Sequence, residues 1–324
     1  MITLYRTLRY LKPVQLLYRG KLVLFHFFPI KVKWDEYRQI TGHDLCFENS
    51  ISFTNSYINF NSTFSFLNLS HSFSSGIDWN WLGYGKLWTY NLNYFEYLNQ
   101  ENFSREDGIA LINDFLNQLP SCSVGLEPYP LSLRCVNWIR FFIKYKLNDK
   151  KYDTLLFQQL ELLTHRLEYH ILGNHLLENG FALLFGAYYF NNNDFYQKAK
   201  SILLPELKEQ TLADGANFEL SPMYHCIMLF RMLDCYNLIK CNSSFSKELL
   251  PVFEKQCSEM LGWINALIFD NGDIPLFNDA AFKVAPNVVS LFDYANRLGL
   301  SYEKKKLRES GYRKFTDGRF EAVI

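Results

Sequence analysis

From about residue 104 onward the chain is a succession of segments with apolar residues at helical spacing. Each is closed within a few residues by Pro, Gly, Asn or Asp. The pattern predicts helices near 105–118, 130–147, 151–170, 175–190, 194–209, 222–240, 245–268 and 285–298. The breaks are short: Pro120 to Pro128, Asn148-Asp149-Lys150, and Leu172-Gly173. Consecutive helices with such short connections pack antiparallel. The expected class is therefore mainly α, with helical hairpins arranged in a ring or an open toroid. No repeat of fixed period runs through the segments, which disfavours a regular solenoid.

The two ends read differently. Residues 1–28 predict one basic helix that stops near Pro29. Its apolar run, Leu22 to Ile30, is interrupted by His26 and Pro29 and is followed by no small-residue cleavage site. It also falls far short of the ~20 residues that span a bilayer. A helix docked on the domain is expected, with a membrane-surface helix as the alternative. Residues 35–75, rich in Asn, Ser and Phe, predict short strands or extended segments, as at Ile51-Ser-Phe and Tyr57-Ile-Asn-Phe. Residues 311–324 alternate in period two around Asp317-Gly318, a hairpin signature. A lone hairpin is marginal in water. The expected domains are thus a helical domain over 1–300, including an N-terminal extension, and the start of an incomplete β-domain over 301–324.

Charge and composition narrow the partners. Lys plus Arg equals Asp plus Glu at 33 each, so a strong basic field for nucleic acid is excluded. An acidic ligand would have to be held by local groups. Aromatic residues make up 17% of the chain. Phe reads first as core, whereas Tyr and Trp also suit clefts that stack on sugar rings. The seven cysteines show no C-x-x-C spacing, so buried, reduced thiols are expected. With no signal peptide, that favours a cytoplasmic location, the periplasm being the alternative.

Five segments carry candidate chemistry. In Asp78–Phe95, Trp88, Tyr90 and Asn93 sit among Trp, Tyr, Asn and Gly, which suits a sugar subsite and equally a packed cap of the helical array. In Gly125–Arg140, Pro130 fits a first helical turn. Tyr129 and Trp138 add aromatic surface there. Arg134 and Asn137 share a helix face, where the Arg fork either meets a carboxylate or sulfate or bonds a neighbouring helix end. In Gly173–Gly180, Gly173 is read as ending one helix and Asn174 as capping the next. His175 lies in the first turn, where the helix dipole favours the neutral ring, and Glu178 follows one turn on. In Glu209–His225, Ser221 and Pro222 make a clear helix start that puts Tyr224 and His225 in the first turn, beyond the Asp214-Gly215 turn and Glu219. Asp270–Asp279 reads as a rim loop, since its spacing fits no calcium loop.

At these segments the sequence resembles the heparinase II/III-like polysaccharide lyases, specifically their N-terminal helical toroid domain. The stretches are LWTYNLNYFEYL, EPYPLSLRCVNWIRF, NHLLENGFALLFGAYYF, EQTLADGANFELSPMYH and NGDIPLFND, in that order over roughly residues 80–280. The opening YRTLRYLKPVQLLYR is similar to members of the family as well. The resemblance implies an (α/α) toroid followed by a C-terminal β-sandwich, of which only the start, about 309–324, would be present. It implies β-elimination on a uronic-acid polysaccharide, heparin/heparan-like or alginate-like, without a metal or cofactor. Asn174 would neutralise the substrate carboxylate, with His175 beside it, and Tyr224 would serve as general base and acid. The family's further His from the β-sandwich has no match. Trp88, Tyr90, Asn93, Tyr129, Arg134, Asn137, Trp138, Glu178, Glu219 and His225 are the expected substrate-binding positions.

The chemistry fits those residue types. Hydrogen bonds to the uronate carboxylate stabilise the enolate-like intermediate formed when the C5 proton leaves. A tyrosine takes that proton and protonates the O4 leaving group if its pKa is lowered, for which His175, His225 and Arg134 are the expected neighbours. Two other readings stand beside this one. The chain would be a non-catalytic glycan-binding or assembly protein of a capsule-type system. Otherwise it would be a toroidal glycoside hydrolase using two of Glu178, Asp214 and Glu219.

Overall fold

The computed structural model describes residues 9–27, 34 and 40–324. Among them the chain is mainly helical. A first helix, α1 (Pro13–Phe27), precedes a small meander of β1 (Tyr57–Ile58), β2 (Thr63–Phe66) and β3 (Leu69–Ser72). Nine helices follow: α2 (Lys86–Tyr94), α3 (Arg105–Gln118), α4 (Pro128–Tyr145), α5 (Lys150–His165), α6 (Gly173–Phe190), α7 (Asn193–Gln210), α8 (Pro222–Cys241), α9 (Leu250–Leu267) and α10 (Val288–Arg297). The chain closes on the hairpin β4 (Lys314–Thr316) and β5 (Glu321–Val323).

The eight helices expected after residue 104 are all formed. The one drawn to residue 170 stops at His165, and the one drawn from 245 begins at Leu250, after a 3-10 turn at Lys247–Leu249. Helix α2 was not foreseen, because Lys-Leu-Trp-Thr-Tyr-Asn-Leu-Asn-Tyr has no clean apolar stripe. The helix expected over 1–28 is interrupted at Tyr10 to Lys12, where Pro13 disfavours a helical residue before it, and continues as α1; residues 1–8 and 28 lie outside the described residues. Ile51 to Phe53 form no strand, whereas Tyr57–Ile58 do. The C-terminal hairpin forms as expected, with Phe315 opposite Ala322. No helix among the described residues is long and apolar enough to cross a membrane.

The chain divides into two compact units. One comprises Met1–Gly42 and Asn55–Ile202, the other His43–Thr54 and Leu203–Ile324. In the first unit α4 is the central element and packs on α2, α5 and above all α6. Both α4 from Pro130 to Phe142 and α6 from Leu176 to Phe190 are buried on every side, as helices with apolar residues all round must be. Gly186 allows the tight approach of α5, since a Cβ there would stand 2.5 Å from Leu160 Cδ1. The meander adds Phe64 and Phe66 to this core and turns its serines outward, with Ser65 Oγ and Ser70 Oγ 2.7 Å apart.

The second unit is built around α8 and α9. The extended segment 43–54 is fastened by polar side chains along the second half of α8 and at its C-terminal cap. Glu48 N donates to Asn237 Oδ1 (3.0 Å), and Asn237 Nδ2 returns a bond to Glu48 O (2.8 Å). Asn242 makes the same exchange with Cys46, and Ser50 donates to Asp234. Four of the seven free thiols are buried as expected, while Cys46 and Cys241 are exposed and Cys122 is intermediate.

Two buried features brace the start of α8. At the preceding turn Gly215 has φ +93, and a Cβ there would stand 2.3 Å from Glu259 O, so α9 fits only over glycine. Asp214 accepts from Arg308 N, Ser310 N and Ser310 Oγ at 2.7–3.0 Å and so pins the segment before the hairpin. Burial alone would raise its pKa, but these bonds outweigh it and hold the carboxylate below its ordinary range. His225 is wholly enclosed; its Nδ1 accepts from Asn217 N (3.2 Å) and its Nε2 donates to Met260 O (3.1 Å). Burial pushes its pKa down to about 3, so the ring is neutral.

Gly215→Ala is expected to destabilise the protein by roughly 2–4 kcal/mol, from backbone strain and the clash with Glu259. Urea unfolding would read this as a lower midpoint at unchanged slope. His225 sets a pH dependence. Its folded-state pKa lies below the ordinary 6.5, so its contribution is complete above pH 6.5 and is lost as pH falls toward 3. In that window the group removes up to ~1.4 kcal/mol per pH unit. Stability of His225→Gln, measured at pH 7, 6 and 5, is expected to fall less steeply than that of the wild type. Parallel curves would refute the assignment.

Candidate active site

The candidate residues fall in both units. In the first unit the turn before α6 is unusual. Leu172, the residue capping the helix, has φ 67 and ψ −156, a region nearly reserved for glycine, and Gly173 follows at φ 61. Gly173 therefore opens α6 rather than ending the previous helix, and Asn174 is its second residue rather than its cap. The side chain of Asn174 is half-buried and makes no hydrogen bond to the described residues. An amide donor and the first N–H groups of a helix thus stand at one point, where an anion is favoured.

His175 is the next residue, its side chain 36% exposed. Its Nδ1 lies 3.0 Å from Oε1 of Glu168, whose own side chain is 6% exposed. Glu168 is fixed in turn: its N–H donates to Asn179 Oδ1 (2.9 Å), and its Oε2 accepts from Asn179 Nδ2 (3.1 Å). A carboxylate on Nδ1 selects the tautomer that leaves Nε2 as the acceptor facing outward. Sequence reasoning missed Glu168, because the helix predicted to residue 170 absorbed it. The turn created by ending at His165 is what brings it to the start of α6.

A row of aromatic rings leads away from His175. Its ring centroid is 4.5 Å from Tyr129, Tyr129 is 6.0 Å from Tyr94, and Tyr94 is 6.5 Å from Tyr90. Tyr90 and Tyr129 are half-buried, so each keeps ring surface open to a ligand. Lys86 stands at the far end, 5.3 Å over Tyr90 and 2.8 Å from Glu127 Oε1. Glu127 also accepts from Gly125 N (2.8 Å). Glu178 is buried near Tyr94, whose pKa is raised by burial and then by surrounding carboxylates including Glu178.

Other expected contacts in this unit are built into its interior. Trp88 is fully buried and donates to Leu69 O (3.1 Å). Asn93 donates to Trp79 O and Thr89 O, and Trp138 is enclosed between Phe95 and Phe115. Arg134 is fully buried: Nε donates to Gln159 Oε1 (2.7 Å), and Nη1 to Gly125 O (2.8 Å) and Asn93 O (3.2 Å). Asn137 donates to Tyr94 O (2.9 Å). Arg134 and Asn137 therefore address the end of α2, the alternative that the sequence left open.

In the second unit Ser221 caps α8, its Oγ accepting from Tyr224 N (3.3 Å), with Pro222 in the first turn as expected. Tyr224 is half-buried, and its hydroxyl donates to Asp279 Oδ2 (3.2 Å). Burial and then the charge of Asp279 raise its pKa, opposite to the expected lowering. His225 cannot lower it, because both ring nitrogens are spent inside the unit. Asn278 Nδ2 donates to Leu220 O (2.7 Å) and Ser221 Oγ donates to Asp279 O (3.1 Å), so the rim loop is docked on the start of α8. Asp279 was visible in the NGDIPLFND stretch but had no partner until the loop was placed. Glu219 is exposed, whereas Asp214 is occupied by the backbone of residues 308–310. No group of three or more His, Cys, Asp or Glu among the described residues is placed to hold a metal ion.

Crystal structures of the heparan sulfate lyase HepC from Pedobacter heparinus, wild type and mutant, are similar to this chain. Each has a TM-score of 0.45 and 18% identity over 67% of the chain. The chain spans 38% and 39% of the lengths of those two proteins. No curated protein matches. The family model described as Heparinase II/III N-terminus matches residues 131–304, more than half of the sequence and the part that holds Asn174, His175 and Tyr224. The chain belongs to the heparinase II/III N-terminus family.

Proposed function

We propose that the chain is a polysaccharide lyase domain acting on a uronic-acid polymer by β-elimination. The observation that carries this reading is the start of α6, where the half-buried Asn174 amide has no partner among the described residues and sits beside an imidazole set by a buried glutamate. In the proposed reaction Asn174 and the first N–H groups of α6 hold the uronate carboxylate and take up its growing enolate charge. His175 hydrogen-bonds through Nε2, and the rings of Tyr129 and Tyr90 carry neighbouring sugars. Tyr224 removes the C5 proton and delivers it to the O4 leaving group. The bond from C4 to O4 breaks as the C4–C5 double bond forms, so protons and electrons balance without a cofactor. A hydrolase reading is less well supported, since Asp214 has its carboxylate committed to backbone N–H groups.

Two measurements test this. Turnover of uronate polymers should produce the absorbance of an unsaturated uronate. Tyr224→Phe should abolish it, and Asn174→Ala should reduce it by about 10²–10³-fold, the loss typical of one donor to a developing oxyanion. Binding without product in the wild type, or reducing ends without the chromophore, would sink the lyase reading. The second concerns Asp279, whose negative charge raises the pKa of Tyr224. Asp279→Asn should move the ascending limb of the pH–rate profile, on which the Tyr224 phenolate forms, to lower pH. An ascending limb that stays in place would remove Tyr224 as the titrating base.

A further inference from the structure

The second unit holds a cleft of about 1000 Å³ that the proposed chemistry leaves unused. One wall is the strap before the hairpin, with Lys304, Lys305 and Lys306, and the other is the hairpin itself, with Arg313, Lys314 and Arg319. Asp270 and Glu321 are the acidic residues of the lining, so six cationic side chains face two acidic ones in a chain of zero net charge. Of the two, Glu321 has its carboxylate engaged. Glu321 Oε1 lies 2.6 Å from Lys314 Nζ, and Glu321 Oε2 accepts from Asp270 N (2.7 Å). Lys305 reaches Glu259 at 3.8 Å. Lys304, Lys306 and Arg319 are exposed and form no ion pair with the described residues.

The walls are held in place. Lys305 N donates to Gly262 O (3.0 Å), and a Cβ on Gly262 would stand 2.2 Å from Glu303 O, so the strap lies directly on α9. Asp214 pins its far end through Arg308 and Ser310. Lys314 ties the hairpin to Ile268 O and to Glu321. Aromatic surface lies among the charges, with Phe269 and Tyr312 in the lining and Phe320 exposed at 67%. A concave, braced surface with unpaired cations and ring faces suits a flexible, regularly charged chain of rings.

We propose that this cleft is an anchoring site for an acidic oligosaccharide, which it holds by its carboxylate or sulfate groups. None of its lining residues is among those assigned to bond cleavage. Only the identity of its ligand rests on the uronate reading. Cationic side chains in a cleft with low-dielectric walls concentrate an anionic chain, so the anchor would retain polymer through successive cleavages.

The test uses the whole 324-residue chain and titration calorimetry. The probes are a heparin octasaccharide (sulfate and carboxylate), an alginate octasaccharide (carboxylate alone), neutral maltooctaose, and a single-stranded DNA oligomer of matching charge. Both acidic octasaccharides should bind and maltooctaose should not. In Lys304→Gln/Lys306→Gln/Arg319→Gln, affinity should fall about tenfold and become less sensitive to salt, as expected for losing three exposed charges. A matched variant elsewhere, Lys144→Gln/Lys150→Gln/Lys198→Gln, should bind within about twofold of the wild type. Unchanged affinity in the cleft variant, an equal loss in the matched variant, or tighter binding of DNA than of either sugar would overturn the proposal. Tyr224→Phe should lose product yet keep this affinity. A cleft-dependent affinity with no product from any polymer would overturn the lyase reading and leave the anchor standing.

Discussion

The first unit is organised around a guanidinium that has no carboxylate beside it among the described residues. Arg134 sits fully buried on α4 and distributes its donors to Gln159, Gly125 O and Asn93 O, with Phe115 stacked 4.7 Å away. Burial drives its pKa down, so every carbonyl it meets is needed to keep the charge tolerable. Those carbonyls are the ones with the greatest need of a donor. Helix α2 ends inside the protein at Phe95, in the left-handed region, and its last carbonyls have no intrahelical partner. Arg134 and Asn137 supply what water would supply at a surface. The same bonds fix the loop at Gly125 and so the positions of Glu127 and Tyr129, which form part of the aromatic row reaching His175.

Helix order was legible because the breaks between segments are chemically plain. Ser221-Pro222 and Asp149-Lys150 mark starts by capping geometry alone, since Ser221 and Asp149 each accept a first-turn N–H. Helix α2 was hidden for the opposite reason. Its Thr and Asn residues carry little helical propensity, and what holds it is tertiary: Thr89 and Asn93 bond the backbone at Trp81 and Trp79. The early end of α5 was equally invisible. Leu167 to Ile171 continue an acceptable helical pattern, but Glu168 N is drawn off to Asn179.

The site was legible in kind more than in role. Residue types pointed to an amide, an imidazole and a phenol at helix starts, and all three lie in first turns, although Asn174 is the second residue of α6 and not its cap. Burial was the missing quantity. Trp88, Arg134, Asn137, Trp138 and His225 have the chemistry of ligand contacts, yet each is wholly enclosed and four of them spend their donors internally. Polar groups in a core must be satisfied there, so a buried framework and a binding surface draw on the same amino acids. Partners distant in sequence were the other gap. Tyr224 and Asp279 are 55 residues apart, and that contact adds to the upward shift that burial already gives the tyrosine's pKa.

The segment from His43 to Thr54 belongs to the second unit although the residues on both sides of it belong to the first. Its bonds to α8 span 184 to 196 residues of sequence. Contacts so remote carry a large loop-closure entropy and form late. During synthesis this segment leaves the ribosome long before Asp234, Asn237 and Asn242 exist, so its backbone groups stay in water until α8 is made. The second unit then closes onto a segment that the chain already tethers at both ends, which makes that segment a register mark for assembly.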